Sequence, residues 1–260
     1  MIFLKLGGSL ITQKDQTETA RITVIRRLAR EIANALSQDP DMQLLLGHGS
    51  GSFGHHAAER YGTAQGANSW EDWIGFTEVW RAAQQLNRIV SDELRNAGIP
   101  VINFSPSASA VCQEGELQHM AIEPTLRALS AGLIPLTHGD VAFDRLSGST
   151  ILSTEQIFHY LSVRLQPQRI LLAGLDAGVY PDPNHPEQVQ TSIVPDDLEQ
   201  INLGKSGSVD VTGGMASKVQ LAVQMIRANP SLEVSIFSGE EEGAVEASLL
   251  GAKLGTLIVA

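Results

Sequence analysis

Apolar and polar positions along this chain alternate between two rhythms. Short apolar runs at Ile2 to Leu6, Gln43 to Gly47, Val101 to Phe104, Leu133 to Thr137, Ile170 to Ala173, Val234 to Phe237 and Thr256 to Val259 read as buried strands. Between them the spacing turns helical. Ile25, Leu28, Ala29, Ile32 and Leu36 follow the i, i+3, i+4, i+7 rhythm, and Val79, Ala83, Leu86, Val90 and Leu94 predict a long helix over Thr77 to Ala97. That helix stops at Gly98, with Pro100 just beyond. Further helices are predicted over Glu155 to Leu165 and Met215 to Ala228, closed by Pro167 and by Asn229-Pro230. Strands separated by helices imply right-handed crossovers and a mainly parallel sheet covered on both faces. The fold class is therefore α/β, a three-layer α/β/α sandwich with an open central sheet.

Val179 to Ser208, rich in Pro, Asp, Asn and Gly, breaks the alternation and reads as a hairpin or loop over a site. No internal repeat, linker or low-complexity tract divides the chain. Residues 1–260 are expected to form one unit with two lobes, roughly 1–150 and 151–260.

Composition narrows the function classes. A chain of 260 residues with 43% hydrophobic content can bury a large core. A formal net charge of -11 argues against a nucleic-acid or membrane-surface partner, which would want a basic face. One cysteine, Cys112, leaves no internal disulfide framework and suits a reducing compartment. No apolar run reaches membrane-spanning length, and the opening MIFLKLGGSL breaks at Lys5 and Gly7, unlike a signal peptide. A cytoplasmic protein is expected.

Against that acidic background the placement of the five lysines is informative. Lys5 and Lys14 flank Gly7-Gly8-Ser9, and Lys218 follows Thr212-Gly213-Gly214. Glycine lets bare amides approach an anion, and lysine supplies the counter-charge. Ligands gather at the carboxyl ends of parallel strands, where Gly7, Gly8 and Ser9 fall. Gly213 and Gly214 open a helix whose positive end Lys218 adjoins. Each segment alone could be an ordinary glycine turn. Two in one chain are more economically explained by a shared polyphosphate.

Gly49-Ser50-Gly51-Ser52-Phe53-Gly54 matches the dinucleotide fingerprint and follows a strand, with Glu71 and Asp72 downstream. The segment from Gly54 reaches only Tyr61 before Gly62, too short for a full crossover helix, and a dinucleotide site has no use for the two lysine–glycine turns. The Walker A pattern is absent.

Taken together, Lys5-Leu6-Gly7-Gly8-Ser9, His48-Gly49-Ser50-Gly51-Ser52-Phe53-Gly54-His55, Gly139-Asp140 and Thr212-Gly213-Gly214-Met215 with Lys218 resemble the amino acid kinase superfamily. Within it the set is similar to the isopentenyl phosphate kinases, over essentially the whole chain. Ser52-Phe53-Gly54-His55 is its most specific element, shared with fosfomycin kinases.

The resemblance implies ATP and Mg²⁺ as cofactors, with no protein metal cage. Lys5, Gly7, Gly8 and Ser9 would hold ATP phosphates, with Lys14 near the transferring group. Gly51 would touch the nucleotide phosphates, and Ser50, His55 and Gly139 would meet the acceptor. Thr212, Gly213, Gly214 and Lys218 would hold ATP, with Asp176 on the nucleotide side. The N-terminal lobe would bind acceptor and the C-terminal lobe nucleotide, in a homodimer. Ser50 stands where the family usually shows glycine. Ser153-Thr154-Glu155 stands where many relatives carry Ser-Gly-Asp, leaving the acidic organiser of the site open.

The implied reaction is transfer from ATP to isopentenyl phosphate, a small-molecule substrate, giving the diphosphate. A phosphate monoester has its second pKa near ~6, so it is already a nucleophile at neutral pH and needs no general base. Catalysis reduces to positioning and charge neutralisation by Lys5, Lys14, Lys218 and a donor from His55. Trp73, Phe76 and Trp80 share a helical face, which is either core packing or an apolar wall for an isoprenoid tail. A fosfomycin-type kinase, or a non-catalytic anion-binding protein on the same fold, remains the alternative.

Overall fold

The computed structural model describes residues 1–181, 188–196 and 214–260. In chain order the elements are β1 (Ile2–Leu6), α1 (Gly8–Ile11), α2 (Ile22–Gln38), β2 (Leu44–His48), α3 (Gly51–Tyr61), α4 (Trp70–Asn96) and β3 (Val101–Asn103). There follow β4 (Ala110–Gln113), β5 (Glu116–Met120), α5 (Glu123–Ser130), β6 (Ile134–His138), β7 (Asp140–Asp144), β8 (Gly148–Leu152) and α6 (Thr154–Leu165). The last are β9 (Arg169–Gly174), β10 (Ser192–Ile193), α7 (Gly214–Ala228), β11 (Glu233–Ser238), α8 (Ala244–Leu249) and β12 (Thr256–Ile258).

An eight-stranded sheet in the order β10-β12-β11-β9-β1-β2-β6-β3 runs through both halves of the chain. Every neighbouring pair is parallel except β11 with β12. The period-two alternation of strand side chains builds a separate core on each face. Leu4 and Leu6 of β1, Leu44 and Leu46 of β2, and Leu171 of β9 pack with α2, α4 and α8. Phe3, Leu45 and Ile170 point the other way, against α6 and α7. The expected three layers are present.

The same alternation decides where Lys5 goes. It lies on the Phe3 side of β1, facing α6, and only the end of the strand keeps it from being locked inside the core.

Two features depart from the sequence reading. The helix expected over Thr77 to Ala97 begins at Trp70, because Ser69 caps it. Ser69 Oγ accepts from Asp72 N at 3.2 Å while Asp72 Oδ2 accepts from Ser69 N at 2.8 Å, a reciprocal capping box. A second, four-stranded sheet, β5-β4-β7-β8, covers part of the α6 face. Its β7 leaves the site end of β6 after one intervening residue, Gly139, and so carries the chain out over the cleft.

The Val179 to Ser208 segment lies partly outside the described residues. Its described part pairs Val179 with Gln190 and adds β10 to the sheet edge. No helix among the described residues is long and apolar enough to cross a membrane.

Candidate active site

The loops leaving β1, β2, β6 and β9 meet at one end of the sheet, stitched by backbone hydrogen bonds. Gly7 N donates to Ala173 O at 2.7 Å, Gly49 N to Leu6 O at 3.0 Å, and Gly139 N to His48 O at 3.0 Å. Thr154 Oγ1 adds a bond to His48 O at 2.7 Å, tying α6 to the end of β2. These bonds fix four strand ends against one another.

Between them lies a cavity of about 320 Å³. One side holds Lys5, Gly7, Gly8, Ser9, Asp176, Gly214 and Lys218, and the other Lys14, Ser50, Gly51, His55 and Gly139. The structure therefore brings twelve sequence-selected residues to one space. Thr212 and Gly213 lie outside the described residues. A narrower recess under α7 reaches Leu172, Met215 and Ile236 from the lysine side. Another recess, about 10 Å³, opens under Ser50 and His55 and is walled by Ala58, Val79, Ala83 and Ile151.

Trp73, Phe76 and Trp80 line neither space that holds His55; of the two readings of their shared face, packing is the one seen for Trp73 and Phe76. Trp73 and Phe76 pack on each other at 5.5 Å and on Phe143 of β7 at 5.9 and 5.0 Å. Trp80 is 43% exposed. At about 100° per residue Phe76 stands only about 20° from Ala83, and it is buried with Val79 against Ala58 of α3, while Val79 and Ala83 themselves reach the recess.

The glycine turns are in backbone contact. A Cβ on Gly8 would stand 2.5 Å from Gly51 N, and one on Gly49 would stand 2.7 Å from Gly8 N. Side chains at these points would push the two loops apart. Gly51, at φ 50, also opens α3, whose second turn presents His55 to the cavity. The glycine-rich stretch Gly51 to Gly54 is thus the first turn of a helix, with positive-end amides beside the cleft.

Glu155, whose role the sequence left open, sits at the centre. It is 6% exposed and ion-paired with Lys5, itself 7% exposed. Burial opposes charge on the carboxyl, but Lys5 and then Lys218 outweigh it and hold Glu155 below its ordinary pKa. The first turn of α6, fixed by the Ser153–Gln156 capping box, delivers it there. From that turn its side chain is long enough to reach Lys5.

Beneath the His55 side lies a polar layer whose role sequence reasoning passed over. His48 and His138, both fully buried, stack at 5.4 Å with planes 12° apart. His48 Nε2 meets Asn87 Oδ1 at 3.1 Å, and Gln84 Nε2 lies 3.2 Å from His138 Nε2. Burial lowers the pKa of both histidines, so they are neutral in the folded protein. Asp140, which lines the small recess with His55, is pushed up to about 6 by burial, against bonds from Ser107 and Val141. The only signal in the sequence was a histidine closing each of two adjacent strands.

Among the described residues, no group of three or more His, Cys, Asp or Glu is placed to hold a metal ion. The cavity offers instead three lysines, two glycine turns and a helix N-terminus. Such a set recognises phosphates, and a donor polyphosphate together with an anionic acceptor fits the two sides.

Comparison with known proteins agrees with this geometry. A model described as the Amino acid kinase family matches residues 1–238. The isopentenyl phosphate kinase of Methanothermobacter thermautotrophicus is 34% identical over 270 residues, covering 99% of this chain and 98% of that protein. That of Methanocaldococcus jannaschii is 32% identical over 266 residues, covering 99% and 98%. Among solved structures, one described as isopentenyl phosphate kinase superposes with a TM-score of 0.85 at 31% identity, covering 100% of both chains. A product complex of the Thermoplasma acidophilum isopentenyl phosphate kinase gives 0.79 at 25% identity, covering 99% of each.

Proposed function

The chain belongs to the amino acid kinase family, and from that premise we propose that it transfers the γ-phosphoryl group of ATP directly to isopentenyl phosphate, yielding isopentenyl diphosphate and ADP. The observation that carries the reading is one cavity with lysine–glycine turns on one side and His55 over an apolar recess on the other. The named activity of the full-length relatives supports it.

Lys5, Gly7, Gly8 and Ser9 cradle the donor phosphates, with Gly214 and Lys218 on the nucleotide side beside Asp176; Thr212 and Gly213, assigned to the same group from the sequence, lie outside the described residues. Lys14 and Gly51 stand between donor and acceptor. Ser50, Gly139 and His55 hold the acceptor phosphate, His55 donating to one of its oxygens. The acceptor is dianionic at neutral pH, so no base is needed, and the protein's work is to align two anions and neutralise charge as it shifts. Mg²⁺ arriving with ATP would add further charge neutralisation. Glu155 spaces Lys5 and Lys218 so that neither collapses onto a phosphate prematurely.

The apolar tail enters the recess beside Ala58, Val79, Ala83 and Ile151. A five-carbon tail needs far more than about 10 Å³, so the reading requires this recess to widen when substrate binds. In this reading the N-terminal lobe carries the acceptor-phosphate contacts, and the C-terminal lobe shares the nucleotide with the Lys5 to Ser9 turn. A cytoplasmic homodimer completes the reading, the family resemblance being its support.

Phosphorus NMR of protein, Mg²⁺-ATP and isopentenyl phosphate tests the proposal. A new diphosphate pair of resonances rising in step with ADP is expected. ADP formed with inorganic phosphate and no new diphosphate would overturn it.

A further inference from the structure

Thr12 is 1% exposed and has no place in the phosphate-binding set. Its hydroxyl nonetheless makes two bonds that span the cleft's construction. Oγ1 donates to Gly8 O at 2.8 Å and accepts from Ser52 N at 3.0 Å. Gly8 belongs to the donor turn and Ser52 to the first turn of α3, so one hydroxyl joins donor and acceptor supports. Thr12 N also donates to Gly8 O, at 3.0 Å, so the carbonyl is held twice.

Thr12 is a third junction as well. It bridges to Ala20, and Gln13 N donates to Thr19 O at 2.9 Å, so Thr12 begins the small hairpin that carries Lys14. A Cβ on Gly51 would lie 2.2 Å from Thr12 Oγ1, so position 51 leaves room for this hydroxyl and nothing more. The contact also spends the Ser52 amide, an α3 donor that would otherwise face the cleft or lie unsatisfied.

We propose that Thr12 is a positioning residue for phosphoryl transfer: its hydroxyl sets the separation of the Gly7-Gly8 turn, the N-terminus of α3 and the Lys14 hairpin, and with it the approach of acceptor to donor. The role rests on the transfer reading above. Transfer between two bound anions is steep in their alignment, a displacement of about 1 Å costing about a hundredfold in rate, whereas binding of each anion to its own support is far less sensitive. Thr12 therefore acts on kcat rather than on either KM.

The test compares Thr12→Val, which keeps shape and loses both bonds, with Thr12→Ser, which keeps both bonds and loses a methyl. Steady-state ADP release is measured for both substrates, with urea unfolding alongside. Thr12→Val is expected to lower kcat about 10- to 100-fold with each KM within about threefold of wild type, and Thr12→Ser to recover kcat to within about threefold. Should the valine variant not fold, Thr12→Cys, a weakly bonding thiol of similar size, reads the same split.

A kcat for Thr12→Val within about threefold of wild type would overturn the proposal. So would equal losses in Val and Ser, or a loss confined to KM. Wild-type turnover in the same assay reports separately on the function. If wild type accepts a different phosphorylated substrate, that reading fails while the Val/Ser comparison on the accepted substrate still decides Thr12.

Discussion

Glu155→Gln makes a sharp case, because the carboxylate has opposite effects on the empty and the ATP-bound protein. Without ATP it is the counter-ion of buried Lys5 and a stabilising neighbour of Lys218. Removing one partner of a buried pair costs about 3–5 kcal/mol, since the other charge stays in a poor solvent. At about 2–4 °C per kcal/mol for a chain of this size class, the apo midpoint should fall by roughly 6 °C or more. Once ATP arrives, its phosphates replace the missing carboxylate, and the repulsion between Glu155 and those phosphates is gone. If about 1.4 kcal/mol of the loss returns on binding, ATP affinity rises about tenfold. ATP must then raise the variant's unfolding midpoint further than it raises that of the wild type. Calorimetric titration with a non-hydrolysable ATP analogue, with thermal unfolding at matched ligand concentration, reads both quantities. Turnover should fall, because tighter ground-state binding without Lys5 held in place does not lower the barrier. An unchanged apo midpoint, or weaker nucleotide binding, would refute the reasoning.

Three further perturbations probe other parts of the site. Gly51→Ala places a Cβ 2.2 Å from Thr12 Oγ1 and 2.7 Å from Gly8 O at a φ of 50, so urea unfolding should show a loss of about 2 kcal/mol or more; unchanged stability would contradict the tight loop contact. Ala83→Leu fills the recess under His55, so the KM for isopentenyl phosphate should rise more than about tenfold while ATP binding stays within about twofold; a smaller acceptor effect would move the tail elsewhere. His48 and His138, held below their ordinary pKa by burial, contribute stability that is complete above about 6.5 and lost as pH falls below it. Asp140, raised to about 6, works in the reverse direction, its contribution being full below about 3.9 and lost as pH rises through 6. Asp140→Asn should therefore steepen the loss of stability between pH 6.5 and 4 measured by urea unfolding, and a shallower slope would contradict these assignments.

The sheet and its principal helices could be read from periodicity alone because each buries one face continuously, as Ile25, Leu28, Ala29 and Ile32 do in α2. The four-stranded sheet could not, since β5 (Glu116–Met120) alternates poorly and only its last residue is buried. Lys5, Lys14, Lys218 and His55 stood out because glycine turns mark where backbone meets anion. The role of Glu155 stayed open, because its partner, Lys5, lies 150 residues away and only the tertiary fold joins them. The shared face of Trp73, Phe76 and Trp80 left two readings open for a related reason. Sequence spacing shows that residues share a helical face, but whether that face looks at Phe143 or at His55 is settled by packing against β7 and α3. Thr12 gave no signal at all, since a threonine after an apolar turn is ordinary until its two bonding partners are known.

The central claim is that the acceptor is a phosphate bearing a short isoprenoid tail. It is tested most directly by Mg²⁺-ATP-dependent ADP release with isopentenyl phosphate, dimethylallyl phosphate, fosfomycin and UMP side by side, for wild type and His55→Ala. The account predicts wild-type kcat/KM highest for isopentenyl phosphate, with His55→Ala losing acceptor use while ATP affinity is retained. Turnover of fosfomycin or UMP without turnover of either isoprenoid phosphate would contradict it.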